Sequence, residues 1–169
     1  MKRLLKKHST AFTLMEALLA SSILAMAITA ITMPFSAGAQ NEQANARNTL
    51  AAALAQEMME EVLSKPFADP DDEDARELGP ESDEVGRSSY DNMDDYHGYV
   101  EPEGMVKDMQ GQAIDSPAAT GLSRRVSVSY VYVSGQSSDQ EPTFVRVEVQ
   151  VFYCGTETIK LTRLVYKNG

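Results

Sequence analysis

The sequence predicts an α+β protein in which a long N-terminal helix packs on a small antiparallel β-sheet of about three strands. Two observations carry this prediction. Apolar residues recur at helical spacing in the N-terminal part, and apolar and polar residues alternate with a period of two near the end. With 169 residues, one domain with an appendage is the expected organisation. The predicted segments are a basic leader (1–11), a transmembrane helix (12–37), its amphipathic continuation (38–66), an acidic helix-to-sheet region (67–123) and the antiparallel sheet (124–169).

The charge of the chain is negative and unevenly distributed. There are 25 acidic and 15 basic residues, for a formal net charge of −10. Residues 1–11 carry a charge of +4, whereas residues 68–108 carry 15 acids and three bases. This excess of acid excludes duplex binding as the default, because such proteins need a basic face, so no nucleic-acid partner is expected. One Cys and two His argue against a zinc site and exclude an intrachain disulfide.

Residues 17–37 form an uncharged apolar stretch of 21 residues. A helix of that length is about 31 Å long, which matches the ~30 Å hydrocarbon core of a bilayer. The basic residues before it predict that the N-terminus stays in the cytoplasm and that the C-terminal part crosses the membrane. The alternative is a secretory signal peptide cut near Ala39, which would release a soluble protein. Against it, the stretch exceeds the apolar region of such peptides and has Glu16 at its head.

The six residues 11–16 favour a more specific interpretation. Ala-Phe-Thr-Leu-Met-Glu, between a short basic leader and an apolar helix, resembles the cleavage and methylation motif of type IV prepilins and type II secretion pseudopilins. The resemblance implies that a prepilin peptidase cuts between Ala11 and Phe12 and that Phe12 is then N-methylated. The usual residue before the cut is Gly, where this chain has the small residue Ala11. A pilin-like fold, with a long helix packed on a small sheet, is implied as well.

Glu16 is a candidate assembly residue. An ionised carboxyl group within a bilayer costs free energy, so its presence there suggests that Glu16 has a function and a partner. After cleavage, Phe12 would carry a positive α-amino group one helical turn away, and the resemblance implies that Glu16 pairs with this amine on a neighbouring subunit. The alternative is a carboxylate solvated at the level of the lipid headgroups. Small residues that would let neighbouring helices approach closely are Ala17, Ala20, Ser21, Ser22, Ala25, Ala27 and Ala30.

The segment 38–66 is predicted to continue the helix with one apolar face. The residues that recur every four positions are Leu50, Leu54, Met58 and Val62, and the adjacent row is Ala51, Ala55, Met59 and Leu63. Pro66 is expected to end the helix, and Pro34 and Gly38 predict a kink or local unwinding. We expect the apolar face to pack on the sheet.

Three segments of alternating residues predict strands at 125–133, 144–153 and 158–166. In the middle segment, alternate valines define the face that should meet the helix. Cys154-Gly155 predicts a short turn and residues 135–142 a longer one, which gives an antiparallel meander. Cys154 is expected to be a turn residue or a small buried residue.

The acidic region is expected to be mostly loop, and Ala68 to Gly86 to be disordered or solvated. The next segment, 90–99, interleaves aromatic residues with Asp91, Asp94 and Asp95. Such a segment could dock through its tyrosines and present these three carboxylates to calcium, the one cofactor that the sequence suggests. The favoured alternative is an acidic loop anchored by tyrosines without a metal.

A second, more diffuse resemblance extends along most of the chain. Asp-Asp-Tyr-His-Gly at 94–98 and Ser-Arg-Arg-Val-Ser-Val-Ser-Tyr-Val at 123–131, followed by a Val- and Leu-rich strand pair, are similar to minor pilins of mannose-sensitive haemagglutinin-type pili. Major pilins often carry a C-terminal disulfide loop, which Cys154 alone cannot form. The resemblance is therefore to a minor pilin or a pseudopilin.

The expected function is structural, since the sequence contains no catalytic motif and predicts no enzyme. The resemblance implies a minor subunit of a type IV pilus or a type II secretion pseudopilus. Its partners would be the prepilin peptidase, other pilin or pseudopilin subunits and an inner-membrane assembly platform. It would be a single-pass protein of the bacterial inner membrane, with its C-terminal domain in the periplasm, and later part of an extracytoplasmic filament. The alternative is a signal-anchored periplasmic or surface binding protein that does not polymerise and uses the acidic loop.

Overall fold

The computed structural model describes residues 12–67, 69, 77–137 and 142–166. The chain divides into two compact units, Met1–Glu42 and Gln43–Gly169. The elements are a helix α1 (Leu14–Leu63), a single 3₁₀ turn (Asp94–Tyr96) and the strands β1 (Val100–Glu101), β2 (Leu122–Val131), β3 (Phe144–Tyr153) and β4 (Thr156–Tyr166). The prediction of an α+β fold with a long N-terminal helix and a small antiparallel sheet is confirmed.

Helix α1 contains both predicted helical segments. Pro34 and Gly38 are helical, so the local unwinding expected at these residues does not occur. The missing N–H of Pro34 removes only one bond of the ladder, and the turns on either side hold the segment helical. The helix ends at Leu63, before Pro66, and Ser64 donates its backbone N–H to the Glu60 carbonyl, 3.0 Å away.

In the second unit, α1 buries one face. The residues that it buries are Ala51, Leu54, Ala55, Met58, Met59 and Val62, and Leu50 is partly buried beside them. These positions repeat at three and four residues, so they form a continuous stripe on the helix. The predicted apolar face is confirmed, except that Leu63 remains more than a third exposed.

The sheet is an antiparallel meander with the order β1-β2-β3-β4. Strand β3 has the predicted bounds, β2 lies at 122–131 instead of 125–133, and β4 begins at Thr156 instead of residue 158. Cys154 and Gly155 have φ values of 47° and 76°. Two positive φ values are what the tightest hairpin turn requires, so the pairing of β3 and β4 continues up to Tyr153 and Thr156. Cys154 is an exposed turn residue.

The sheet has a fourth strand that the sequence did not predict. Strand β1 has only two residues, and it pairs with β2 through Val100↔Arg125 and Glu101↔Arg124. A pair of residues carries no readable alternation, so no pattern of period two could have revealed it. Its position sets Glu101 directly beside Arg124.

The core lies on one face of the sheet. Every second residue of β3 is fully buried, and these residues are Val145, Val147, Val149 and Val151. Val126 and Val128 lie opposite Val149 and Val147 on β2, in the same hydrophobic cluster as Leu54 and the rest of the buried stripe of α1. The other face of β3 carries Arg146, Glu148 and Gln150, as the alternation predicted.

The described part of the acidic region is anchored by tyrosines. Tyr90 and Tyr96 are buried and Tyr99 is partly buried, and their rings meet edge to face with centroids 5.0–6.5 Å apart. Such contacts favour a fixed geometry for aromatic groups. Of the stretch from Ala68 to Gly86, residues 68 and 70–76 lie outside the described residues, so that prediction is not tested there.

Gly121, directly before β2, should be the described glycine that tolerates a methyl group least. Its φ is +79°, and an added Cβ would lie 2.9 Å from Cε2 of Tyr153, whose ring is held under the Arg47 guanidinium at 3.7 Å. Gly135 has a similar φ of +89° but no heavy atom within 4 Å of an added Cβ. Gly121→Ala should therefore lower the free energy of unfolding by about 1–3 kcal/mol more than Gly135→Ala.

Urea unfolding of the full chain in detergent micelles, followed by near-ultraviolet circular dichroism, measures this difference. Since both substitutions carry the penalty of a positive φ, equal losses of stability would contradict the predicted clash with Tyr153.

Candidate functional site

The N-terminal motif lies at the start of α1. Ala11 falls outside the described residues, so only Phe12 of the predicted cleavage pair is placed. The Phe12 side chain is 83% exposed, and Glu16 lies in the first turn of the helix. The segment is therefore accessible to another protein on the side of Phe12.

Thr13 and Glu16 form a reciprocal cap at this end of the helix. The Thr13 backbone N–H and hydroxyl both donate to Oε2 of Glu16, at 3.0 Å and 2.9 Å, and the Glu16 N–H donates to the Thr13 hydroxyl at 3.2 Å. This is the capping-box arrangement, which satisfies N–H groups that lack partners in the first turn. The spacing Thr-x-x-Glu is its sequence signal, and reasoning from the family motif alone overlooked it.

The part of α1 that follows is long and apolar enough to cross a membrane, a criterion that a signal sequence near the N-terminus also meets. Its large apolar side chains, from Leu14 to Phe35, are exposed in the chain taken alone. Four hydroxyl side chains in it donate to helix carbonyls three or four residues earlier, and they are Ser21, Ser22, Thr29 and Thr32. Because these hydroxyls need no water, the segment is suited to an apolar environment.

A buried ion pair between Arg124 and Glu101 lies at the centre of the second unit. The Arg124 side chain is fully buried, and its Nε and Nη2 donate to the two Glu101 oxygens at 2.9 Å and 2.8 Å. Its remaining donors reach the Leu54 carbonyl on α1 at 2.8 Å and the Lys107 carbonyl at 3.0 Å. One guanidinium thus links β2, β1, the helix and the loop after β1.

Arg87 extends this network back to α1. It forms a forked ion pair with Glu61, and its Nη1 lies 3.5 Å from Oε1 of Glu101. The Tyr96 hydroxyl donates to Glu61 at 2.9 Å, so both partners of the helix carboxylate come from the region between helix and sheet. Burial alone would raise the pKa of Glu61, but the hydrogen bonds from Arg87 and Tyr96 outweigh it and lower that pKa.

The tyrosines beside the network are held in the neutral form. Burial and the neighbouring Glu101 carboxylate raise the pKa of Tyr99 to about 12, and its hydroxyl donates to Glu101 at 2.9 Å. Burial and the hydrogen bond to Glu61 raise the pKa of Tyr96 well above its ordinary range. A neutral tyrosine is a donor to a carboxylate, so both hydroxyls keep the proton that forms the observed hydrogen bond.

An acidic cluster lies on the other side of the 3₁₀ turn. Within the described ranges, carboxylate oxygens of Glu81, Glu84 and Asp95 lie within 4.8 Å of one another. The trio predicted from the sequence was Asp91, Asp94 and Asp95, and only Asp95 belongs to this cluster. The side chains of Asp94 and Asp95 diverge because consecutive residues of a 3₁₀ turn point about 120° apart.

The two other predicted ligands have different environments. Asp94 is buried and hydrogen-bonded to Tyr130, and burial raises its pKa to about 6. Asp91 contributes its backbone N–H, which donates to Oδ2 of Asp95 at 2.8 Å and to Oε1 of Glu84 at 3.2 Å. Partial burial, the hydrogen bond with Glu81 and the charge of Asp95 raise the pKa of Glu84 to about 7.

Sequence reasoning missed both the ion pair and two members of the acidic cluster. A signal for the ion pair was present. Arg124 lies an even number of positions from Leu122, Val126 and Val128 along the strand, so it faces the core with them. A buried Arg requires an acid, and Glu101 could have been sought. Glu81 and Glu84 have the spacing of one turn, but nothing in the sequence indicates that they meet a residue more than ten positions later.

Comparisons with protein-family models, with curated proteins and with solved structures find no match to the chain. The function has to follow from the residues of the chain itself.

Removal of Arg124 should destabilise the fold far more than removal of a surface cation. In Arg124→Met, Glu101 stays buried without its main partner, so the free energy of unfolding should fall by about 3–5 kcal/mol. The matched control is Lys160→Met, which breaks a 3.0 Å ion pair with Glu148 whose side chains are 41% and 28% exposed. This control should cost at most about 1 kcal/mol.

Urea unfolding of both full-length variants in detergent micelles gives the comparison. If Arg124→Met lost no more stability than Lys160→Met, the buried pair would not hold helix and sheet together.

Proposed function

We propose that the chain is a non-enzymatic, structural minor subunit of a type IV pilus or of a type II secretion pseudopilus. The observation that carries the proposal is the segment Ala-Phe-Thr-Leu-Met-Glu at 11–16 of the sequence. Its described residues, 12–16, lie at the start of a long helix, and a small antiparallel sheet follows later in the chain. The capped start of that helix and its satisfied hydroxyls support a segment that works in an apolar environment.

In this proposal, the precursor is held in the bacterial inner membrane with residues 1–11 in the cytoplasm and the sheet in the periplasm. A prepilin peptidase cuts between Ala11 and Phe12, and the new amino group of Phe12 is methylated. An assembly platform then moves the subunit into an extracytoplasmic filament. There the apolar side chains of α1 exchange lipid for the helices of other subunits, which keeps them away from water throughout.

Glu16 is the proposed assembly contact. Its carboxylate would accept the positive N-terminal amine of Phe12 on a neighbouring subunit, a charge-assisted hydrogen bond that gains strength where water is excluded. In the chain alone, Oε2 is the atom that accepts both bonds from Thr13. The second oxygen, Oε1, is then the acceptor proposed for the amine of the neighbour.

A second candidate function is that of a signal-anchored periplasmic or surface binding protein that never polymerises. The convergence of Glu81, Glu84 and Asp95 favours it, because it offers a ligand site independent of the helix. A secreted form cut near Ala39 would retain the same site and lose the apolar segment. The filament subunit, the anchored protein and the secreted form would differ in their N-terminal residue.

The N-terminus of the mature protein tests the proposal directly. Full-length chain produced with an active prepilin peptidase should yield a protein whose intact mass and first residue correspond to N-methylated Phe12. The control is the same strain with a catalytically inactive peptidase, which should leave the Met1 form in the membrane. A Met1 start with the active enzyme, or a start beyond Ala39, would exclude the filament subunit.

Substitution of Glu16 separates assembly from capping. Glu16→Gln keeps an acceptor for the Thr13 N–H and removes the charge, whereas Thr13→Ala weakens the cap and keeps the charge. Incorporation into sheared filaments, relative to the membrane pool, should fall by roughly tenfold or more in Glu16→Gln, since a bond to a charged group contributes about 1.5–3 kcal/mol.

Membrane insertion should be unchanged in both variants, and Thr13→Ala should be incorporated better than Glu16→Gln. Glu42→Gln, an exposed acid on the same helix, is the control for loss of one charge. Wild-type incorporation of Glu16→Gln would limit Glu16 to its role as a cap.

A further inference from the structure

Three carboxylates converge beside the 3₁₀ turn in the second unit. Oxygens of Glu81, Glu84 and Asp95 lie within 4.8 Å of one another, with Glu81 exposed, Glu84 half-buried and Asp95 fully buried. Negative charges this close repel one another unless a cation or a proton compensates them. The exposed end of the cluster leaves a path by which a hydrated ion can enter.

Asp95 provides an independent indication of a missing partner. Its Oδ2 accepts the backbone N–H groups of Asp91 and Asn92 at 2.8 Å and 2.9 Å. Its Oδ1 is buried and has no hydrogen-bond partner in the part of the chain that the structure describes. Leaving a buried carboxylate oxygen without a partner is costly, and such atoms are rare in folded proteins.

The two observations concern the same carboxylate. Because two N–H groups occupy Oδ2 and fix the orientation of the side chain, the open atom available to a ligand is Oδ1. Glu81 and Glu84 each place a carboxylate oxygen within 4.8 Å of an oxygen of this side chain. A group that fills this position must be a cation or a hydrogen-bond donor, and an anion does not fit.

We propose that Glu81, Glu84 and Asp95 bind one divalent cation of the calcium type. The donor set consists of carboxylate oxygens, which suit a hard cation, and it contains none of the nitrogen or sulfur ligands that zinc prefers. Calcium tolerates irregular geometry and a variable number of oxygens, whereas magnesium demands a regular octahedron. Water on the exposed side completes the coordination.

A bound ion would fasten two segments that are distant in sequence. Glu81 and Glu84 belong to the loop that follows Gly79, and Asp95 belongs to the 3₁₀ turn. The two segments already share one hydrogen bond, because the backbone N–H of Gly79 donates to the Asp94 carbonyl at 3.1 Å. The ion would add a charged link to this contact and tie the acidic loop to the tyrosine-anchored part of the unit. This role does not depend on cleavage or on filament assembly.

Terbium luminescence with calcium competition tests the site on the full chain in detergent micelles, after removal of metals by a chelator. The chain has no tryptophan, so sensitised emission would come from tyrosine, and Tyr96 adjoins Asp95. Calcium should displace terbium and raise the thermal unfolding midpoint, with a dissociation constant on the order of 0.1–1 mM, as in extracellular modules. Magnesium should compete less well than calcium.

Substitutions identify the ligands. Glu81→Gln and Glu84→Gln should each weaken calcium binding by roughly tenfold or more. The matched control is Asp83→Asn, which removes the same charge from an exposed residue of the same loop that lies outside the cluster. Its calcium affinity should equal that of the wild type.

The proposal would be overturned by terbium emission that calcium does not displace, by stronger competition from magnesium or zinc, or by an equal loss of affinity in Asp83→Asn and Glu84→Gln. The last result would indicate diffuse attraction to the acidic loop. Since binding is measured on the purified uncleaved chain, each outcome is independent of whether the protein enters a filament.

Discussion

The buried pair of Arg124 and Glu101 is the interaction on which the second unit depends. Valine and leucine surfaces bring helix and sheet together, but apolar contact is non-directional and fixes no single arrangement. The guanidinium fixes one, because its donors must reach both oxygens of Glu101 and the backbone carbonyl of Leu54 at hydrogen-bond distance. A buried charge is tolerated only when every polar atom around it is satisfied, so a slip of the helix along the sheet would leave Arg124 with unmet donors.

Arg87 and Glu61 repeat this arrangement at a second point on the same face of α1. The two anchor positions on the helix, Leu54 and Glu61, are seven residues apart and therefore about two turns from each other. Arg124 reaches Leu54 from β2, whereas Arg87 reaches Glu61 from the part of the chain between helix and sheet. The contact of Arg87 helps to hold the described part of the acidic region on the helix. Arg87, from this region, and Arg124, from β2, pair inside the unit with carboxylates of the helix and of β1.

Periodicity was enough to predict the elements that bury apolar side chains, and not enough to predict the polar contacts between them. The stripe from Leu54 to Val62 and the alternating valines of β3 are regular repeats, and both lie where the repeats place them. Arg124 interrupts the row of apolar residues on the buried face of β2. A charged residue in a strand is ordinarily assigned to the solvent face unless its place in the alternation is taken into account. The acidic cluster depends on chain geometry that no repeat encodes. The 3₁₀ turn directs the side chains of Asp94 and Asp95 apart, and the preceding loop brings Glu81 and Glu84 to Asp95 and not to Asp94.

Glu16 completes a local hydrogen-bond pattern and leaves one carboxylate oxygen for the intermolecular contact proposed above. At position N3 of a capping box, Glu16 completes the hydrogen bonding of the helix start, which would otherwise present unpaired N–H groups to an apolar environment. Both bonds that Thr13 donates to the carboxylate end on Oε2, so among the described residues Oε1 is the oxygen left for a further donor. A neighbour's amine could therefore bind without breaking the cap. In the proposed filament, the subunit would arrive with its helix start already formed, and the entropy of ordering that segment would not have to be overcome at the moment of assembly.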